Sequence, residues 1–363
     1  MNGDRSGVVR RDARRSSGGA RGARAGALGA SWRHGTSSSL SWARRCAAGL
    51  AALLSLSACE SPQLRRRSII DTDRVLAVRV EPPEVAPGQG ARAKVLFVRA
   101  DGRTVVDWAT EGLRLRWRAC VRAEQVPGLS GIQYAPESPS EGCDAVPDAL
   151  RADLDVHEGE AVVSGELTAR AHAAIEWLGA ALGDALPREV LRAIAQDVGV
   201  PLVLDVAIED EEGRRVALAF KRMMVSPRVP RGTNPPPPRL AFDGRWLSAR
   251  RGDPHLCTPE DGSEPVRVES GTEVIVAPEP GEEAWLEMFP VVDVAGRIVT
   301  GRENAYYSFF STAGRFEAEL TRAPAREERW TAPAEPGPRP LYVVVRDGHG
   351  GTSWCRIDVE VVR

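Results

Sequence analysis

No apolar run in the 363-residue sequence is long enough to cross a membrane as a helix. A hydrocarbon core ~30 Å thick takes about 20 consecutive apolar residues. Catalytic signatures are missing too. There is no G-x-S-x-G elbow, no H-E-x-x-H, no phosphate-cradling G-x-x-x-x-G-K, and no G-x-G-x-x-G opening a helix after a strand. That removes the motif-borne hydrolases, zinc peptidases, nucleotidases and dinucleotide enzymes. No C-x-x-C occurs, which argues against zinc and thioredoxin-like redox chemistry. Histidine is scarce, and His157, His172, His255 and His349 each stand alone with no ligand spacing. The "HGG" at 349–351 has the glycines of an oxyanion hole without a nucleophile elbow, so His349 reads as a turn residue. Sequence alone therefore points to no catalytic residue, no metal ligand and no cofactor.

What is present begins with "CAAGLAALLSLSAC", Cys46 to Cys59, an uncharged stretch behind Arg44-Arg45. A basic flank, a short apolar region and a small-residue exit are the layout of a secretory signal. The exit, Leu56-Ser57-Ala58-Cys59, resembles the lipobox of bacterial lipoproteins. The resemblance implies cleavage between Ala58 and Cys59 and a diacylglyceryl thioether on Cys59, the covalent lipid being the only attached group expected. Residues 1–58 are then leader and signal peptide. In the lipoproteins this resembles, an aspartate after the lipidated cysteine marks inner-membrane retention, so Glu60 after Cys59 implies the outer over the inner membrane, in a cell-envelope location.

Residues 1–45 carry ten Arg and two Asp, so the rest of the chain holds 38 basic against 48 acidic residues, a net of −10. A body of that sign does not attract nucleic acid or anionic lipid. Acyl chains would have to supply the attachment, at about 0.8 kcal/mol per buried methylene. Residues 59–72, "CESPQLRRRSIIDT", are polar and proline-containing and read as a tether, with Arg65-Arg66-Arg67 as a solvated charge run.

From Val75 the chain alternates apolar and polar residues, breaks at Pro82-Pro83 and Pro87-Gly88, alternates again to Val98, and turns at Asp101-Gly102. Such runs predict half-buried antiparallel strands. "GLRLRWRACVRA" places Trp117 and Cys120 on a strand similar to the core strand of an immunoglobulin-like (Ig-like) sandwich. After a loop-rich stretch, Ala171, Ile175, Leu178 and Leu182 recur at helical spacing, and Pro187 opens a second helix through Val190, Leu191 and Ile194. These predict a helical hairpin over about 166–198, read as packing. Strands resume at "PLVLDVAIED" and "RRVALAFKRMMVS". Asp210, Glu211 and Glu212 lack the alternating oxygen ligands of a calcium loop and read as a hairpin turn.

Prolines at 227, 230 and 235–238 predict a semi-rigid spacer over 229–238. Beyond it the β pattern repeats to residue 363, ending in a hairpin from Leu341 to Val361 around Asp347-Gly348-His349-Gly350-Gly351. That ending resembles the last hairpin of Ig-like and PKD-like extracellular domains, as the "EPPEVAPGQ" region resembles Ig-like modules of high-GC bacterial lipoproteins. The expected fold is mainly β: two Ig-like antiparallel β-sandwich domains, 73–228 with an inserted α-helical hairpin, and 239–363. Besides Cys59, the exported chain keeps Cys120, Cys143, Cys257 and Cys355. Four cysteines allow three connectivities. The economical one bridges within each module, Cys120 with Cys143 and Cys257 with Cys355.

The expectation for function is a membrane-anchored, non-catalytic envelope lipoprotein that serves as a structural or protein-interaction module. Its partners would be the membrane, through the lipid, and envelope proteins, with no nucleic acid. Glycan or small-ligand binding is the alternative, and a hydrolase assembled from distant residues is a third.

Overall fold

The computed structural model describes residues 67–122, 142–144, 146–182, 188–262, 265–279, 282–293, 296–323 and 325–363. The expected leader and signal peptide, with Ala58, and Cys59, the residue expected to carry the lipid, lie outside the described residues.

The first module is a two-layer sandwich. One sheet takes the order β1 (Arg74–Glu81), β3 (Ala91–Val98), β7 (Glu160–Val163), β6 (Asp155–His157). The other runs β2 (Glu84–Val85), β9 (Arg215–Val225), β8 (Val200–Glu209), β4 (Arg114–Cys120), β5 (Arg151–Asp153). This is the Ig strand order: four strands as A-B-E-D, the rest as G-F-C with an added C′ edge. β2 leaves the first sheet to pair parallel with β9. Trp117 on β4, 1% exposed, lies in the core between the layers with Phe97, Val206 and Leu204. The short strands β5, β6 and β7 fall inside a stretch whose turn residues read as loop.

The helical hairpin is an insertion between β7 and β8: α1 (Gly165–Leu182) and α2 (Arg188–Ala193), followed by a wide turn at Ile194–Val198. Leu167, Ala171, Ile175, Leu191 and Ile194 turn their apolar stripe into the sandwich core. Its start is stapled to the β2–β3 turn. The Gly88 N–H donates to Thr168 Oγ1 at 3.1 Å, and that hydroxyl donates to the Gln89 carbonyl at 2.8 Å. Gly165 is required there, because a Cβ would meet the Gly88 carbonyl oxygen at 2.2 Å.

The second module is built on a ten-stranded sheet that folds over on itself. Its strands in chain order are β10 (Leu240–Phe242), β11 (Arg245–Arg250), β12 (Asp253–Pro259), β14 (Glu273–Pro278), β17 (Tyr306–Ser311), β18 (Arg315–Phe316), β19 (Leu320–Arg322), β20 (Glu328–Thr331), β22 (Leu341–Arg346) and β23 (Thr352–Ile357). β10, β14 and β20 belong to one face and β17, β22 and β23 to the other, with β11 and β12 carrying the ladder between them. Trp330, Phe242 and Val276 from the first face pack with Phe309, Val343 and Ile357 from the second. Two small sheets complete it: β13 (Val266–Glu269), β24 (Val359–Val362) and β21 (Gly337–Pro338), and the hairpin β15 (Met288–Val292) with β16 (Ile298–Arg302). The architecture is thus mainly β, two Ig-like sandwiches with one helical hairpin.

Each module carries one disulfide, Cys120–Cys143 with Cα atoms 5.7 Å apart and Cys257–Cys355 at 5.6 Å. The first is braced by a partly buried ion network. Arg118 pairs with Asp205 Oδ2 at 2.9 Å and with Asp144, and the Cys143 N–H donates to Asp205 Oδ2 at 2.8 Å. The paired carboxylates raise the Arg118 pKa despite its burial.

Two segments read as connectors are docked instead. The expected tether ends by Arg67: Ser68 and Ile70 are each 1% exposed. The Ile70 N–H donates to the Ser311 carbonyl at 2.8 Å, and the Ser311 N–H donates to Ser68 at 2.9 Å. Ile69-Ile70 is an apolar pair long enough to complete a strand edge, and burial outweighs the freedom a tether keeps. The proline-rich segment 229–238 forms no strand and bends at Val229-Pro230, and it does not space the modules apart. The Asn234 side chain donates to the Val80 carbonyl at 2.7 Å and accepts from the Thr352 N–H at 2.8 Å, so one residue of the segment bonds both modules.

Candidate functional site: the junction between the modules

The modules share a core of their own. β3 turns Ala91, Ala93 and Phe97 into the first sandwich, and Leu96 and Val98 outward. β22 turns Leu341, Val343 and Val345 into the second sandwich, and Tyr342 and Val344 outward. These outward residues meet, with Ile70, Leu76, Ala77, Phe310 and Trp354, in one buried apolar cluster. Period-two geometry forces a strand sandwiched on both sides to be apolar at every position. "VLFV" and "LYVVV" are such strands.

Polar contacts frame the cluster. Tyr342 donates its hydroxyl to the Gly102 carbonyl at 2.7 Å. Arg346 reaches across to the Leu76 carbonyl at 3.0 Å and to Ser308 Oγ at 3.1 Å, and burial lowers its pKa to about 10. Arg79 meets Ser353 Oγ at 3.0 Å. Lys94 on β3 lies 2.8 Å from His255 Nε2 on β12, and the His255 ring stacks on Trp354 with centroids 4.3 Å apart. Burial, reinforced by the Lys94 charge, brings the His255 pKa down to about 4.

A second polar knot closes the other side, where the proline-rich segment crosses. Glu84 on β2, 2% exposed, accepts from Arg228 Nε at 2.6 Å and from the Gly232 N–H at 2.7 Å. Asp347 gathers the N–H groups of His349, Gly350 and Gly351 at 2.7 to 2.9 Å. The His349 ring stacks on Phe289 at 3.9 Å, and burial with Arg222 and Arg228 nearby lowers its pKa to about 3. Glu303 accepts from the Glu287 N–H at 2.9 Å, and burial beside Asp347 pushes its pKa up to about 8.

The residues singled out from sequence divide accordingly. Cys120, Cys143, Cys257 and Cys355 are paired and buried. His349 is the turn residue expected, but neither it nor His255 is solitary in space; each joins the junction. His157 ends the exposed strand β6, and His172 is half-buried on α1. Asp210 is engaged by Arg214 at 2.8 Å within a hairpin turn. The Trp246 ring lies under the Arg239 guanidinium at 4.7 Å. A shallow cavity of about 280 Å³ between Phe242, Val266, Val268 and Val274 offers no exposed ring, Phe242 being 1% exposed. Among the described residues no cluster of His, Cys, Asp and Glu is arranged to hold a metal ion, and no helix is long and apolar enough to cross a membrane.

No family model matches the chain, and no curated protein does. Solved structures resemble it weakly. The Yersinia pseudotuberculosis adhesin InvE is 8% identical over 78% of this chain and 58% of its own, with a TM-score of 0.19. The fibronectin(III)-like modules of Clostridium thermocellum CbhA are 8% identical over 78% and 94%, at 0.19. Bacteroides ovatus SGBP-B, from a mixed-linkage glucan utilization locus and solved with a mixed-linkage heptasaccharide, is 9% identical over 76% and 42%, at 0.16. The chain spans 58% of the InvE chain and 42% of the SGBP-B chain. At these scores the likenesses carry no weight for function, and the fold class rests on strand order and burial.

Proposed function

We propose that the protein is a non-catalytic cell-envelope lipoprotein, anchored through a lipid on Cys59, whose fused sandwiches form a rigid platform for protein partners. The observation that supports this reading is the junction. A shared apolar core and a docked proline-rich segment turn two modules into one body, and the buried titratable groups around them are used in holding it together. Rigid scaffolds that present loops and edges are how β-sandwiches commonly bind partners.

The docked start at Ser68 also sharpens the anchor. Eight residues separate it from Cys59, and at about 3.4 Å each they reach at most about 30 Å. The platform is therefore held close to the membrane, where partners are other envelope proteins. In-cell crosslinking of the wild type and Cys59→Ser tests this. Discrete crosslinked species from the membrane fraction that disappear in the variant are expected. The same crosslinks in both, or none in the wild type, would contradict the reading.

A further inference from the structure

We infer that the junction is an acid-operated hinge: protonation of His255 and His349 separates the two modules while each sandwich keeps its fold.

Position comes first. Neither histidine belongs to the core of a module; each is wedged where second-module strands meet the first module or the segment 226–238. His255 lies between the Trp354 ring and Lys94, and its neighbours across the junction are cations. Lys94 and Arg79 face it from β3 and β1, with Glu81 and Glu160 behind Lys94 and Asp253 on its own strand. His349 faces Arg222 on β9 and Arg228, with Phe289 beneath it and Asp347 in its own turn. Arg228 is already committed to Glu84. A proton on either ring therefore adds positive charge to a confined site already lined with it. Separating the modules returns both rings to water, where imidazolium is hydrated.

The junction is also the weaker element. Its apolar cluster has nine buried residues, and Val292 of β15 adds a contact with the first module's core, whereas each module has a larger core and a disulfide of its own. Local opening occurs where burial is least. A released imidazole titrates near 6.5, against about 4 for His255 and about 3 for His349 in the closed form. On going from pH 7 to pH 4.5, each then favours the open form by up to about a hundredfold. Glu303, protonated in the closed form and titrating near 4.5 once released, opposes them by about a hundredfold, so the two histidines together leave a net shift of roughly tens of fold toward the open form.

Small-angle X-ray scattering of the full chain between pH 7 and pH 4.5, with far-ultraviolet circular dichroism alongside, reads the hinge directly. The expected result is a reversible rise in radius of gyration on acidification with unchanged dichroism. It should be smaller in His255→Gln and absent in His255→Gln/His349→Gln. Should the double variant fail to fold at pH 7, Lys94→Gln serves in its place. Removing that cation should move the transition to lower pH. Wild-type scattering that stays constant to pH 4.5 would overturn the proposal, as would equal expansion in the double variant or a transition unmoved in Lys94→Gln.

Discussion

Glu303 gives the sharpest thermodynamic test of the junction. It is 4% exposed, faces Asp347, and has its pKa pushed up to about 8, so it is mostly protonated at neutral pH. In the unfolded chain the same carboxyl titrates near 4.5. Because the folded value lies above the unfolded one, its stabilising contribution is complete below pH 4.5. It is lost progressively as pH rises through 8. At about 1.4 kcal/mol per unit, the full difference sets a ceiling of about 5 kcal/mol. Water entering around an ionised carboxylate relaxes the site, and about 2–3 kcal/mol is the effect to look for. Glu303→Gln keeps the shape and the acceptor for the Glu287 N–H without a titratable proton. Urea unfolding at pH 5, 7 and 8.5 should show the wild type losing about 2–3 kcal/mol relative to the variant between the first and last pH. Parallel pH profiles for the two proteins would refute the assignment of a buried, neutral Glu303.

Other perturbations separate the parts of the account. Trp354→Ala should lower stability by about 3–5 kcal/mol, measured by urea denaturation, because it empties the centre of the junction cluster. Glu84→Ala leaves Arg228 buried without its carboxylate and should cost about 3–5 kcal/mol by the same measurement. Cys355→Ser opens a loop spanning 98 residues and should cost about 4–5 kcal/mol, whereas Cys120→Ser, with a separation of 23, should cost about 3. Differential scanning calorimetry of the two variants gives the order.

Much of the fold was legible because it rests on local pattern. Alternation placed β1 and β3, helical spacing with Pro187 placed the helical hairpin, and Trp117 with Cys120 marked the core strand of the first sandwich. The economical cysteine pairing also matches the structure. The junction was harder to read, since it joins residues more than a hundred positions apart. Lys94 and His255 are 161 apart, Thr104 and Tyr342 238. One signal was available: Leu96-Phe97-Val98 stops alternating and becomes continuously apolar, as a strand covered on both faces must. Ile69-Ile70 in an otherwise polar tether was another. Proline content marked 229–238 as a segment outside the strands, but composition carries no information on whether such a segment hangs in solvent or docks. Asn234, which bonds to both modules, was the informative residue among those prolines.

The proposed anchor and compartment depend on one thiol, and the intact mass of the protein from the membrane fraction, before and after reduction with alkylation, tests them most directly. The account predicts the mass of residues 59–363 plus acyl chains, with four cysteines labelled only after reduction. An unlipidated mass that retains residues 1–58, or thiols labelled without reduction, would contradict it.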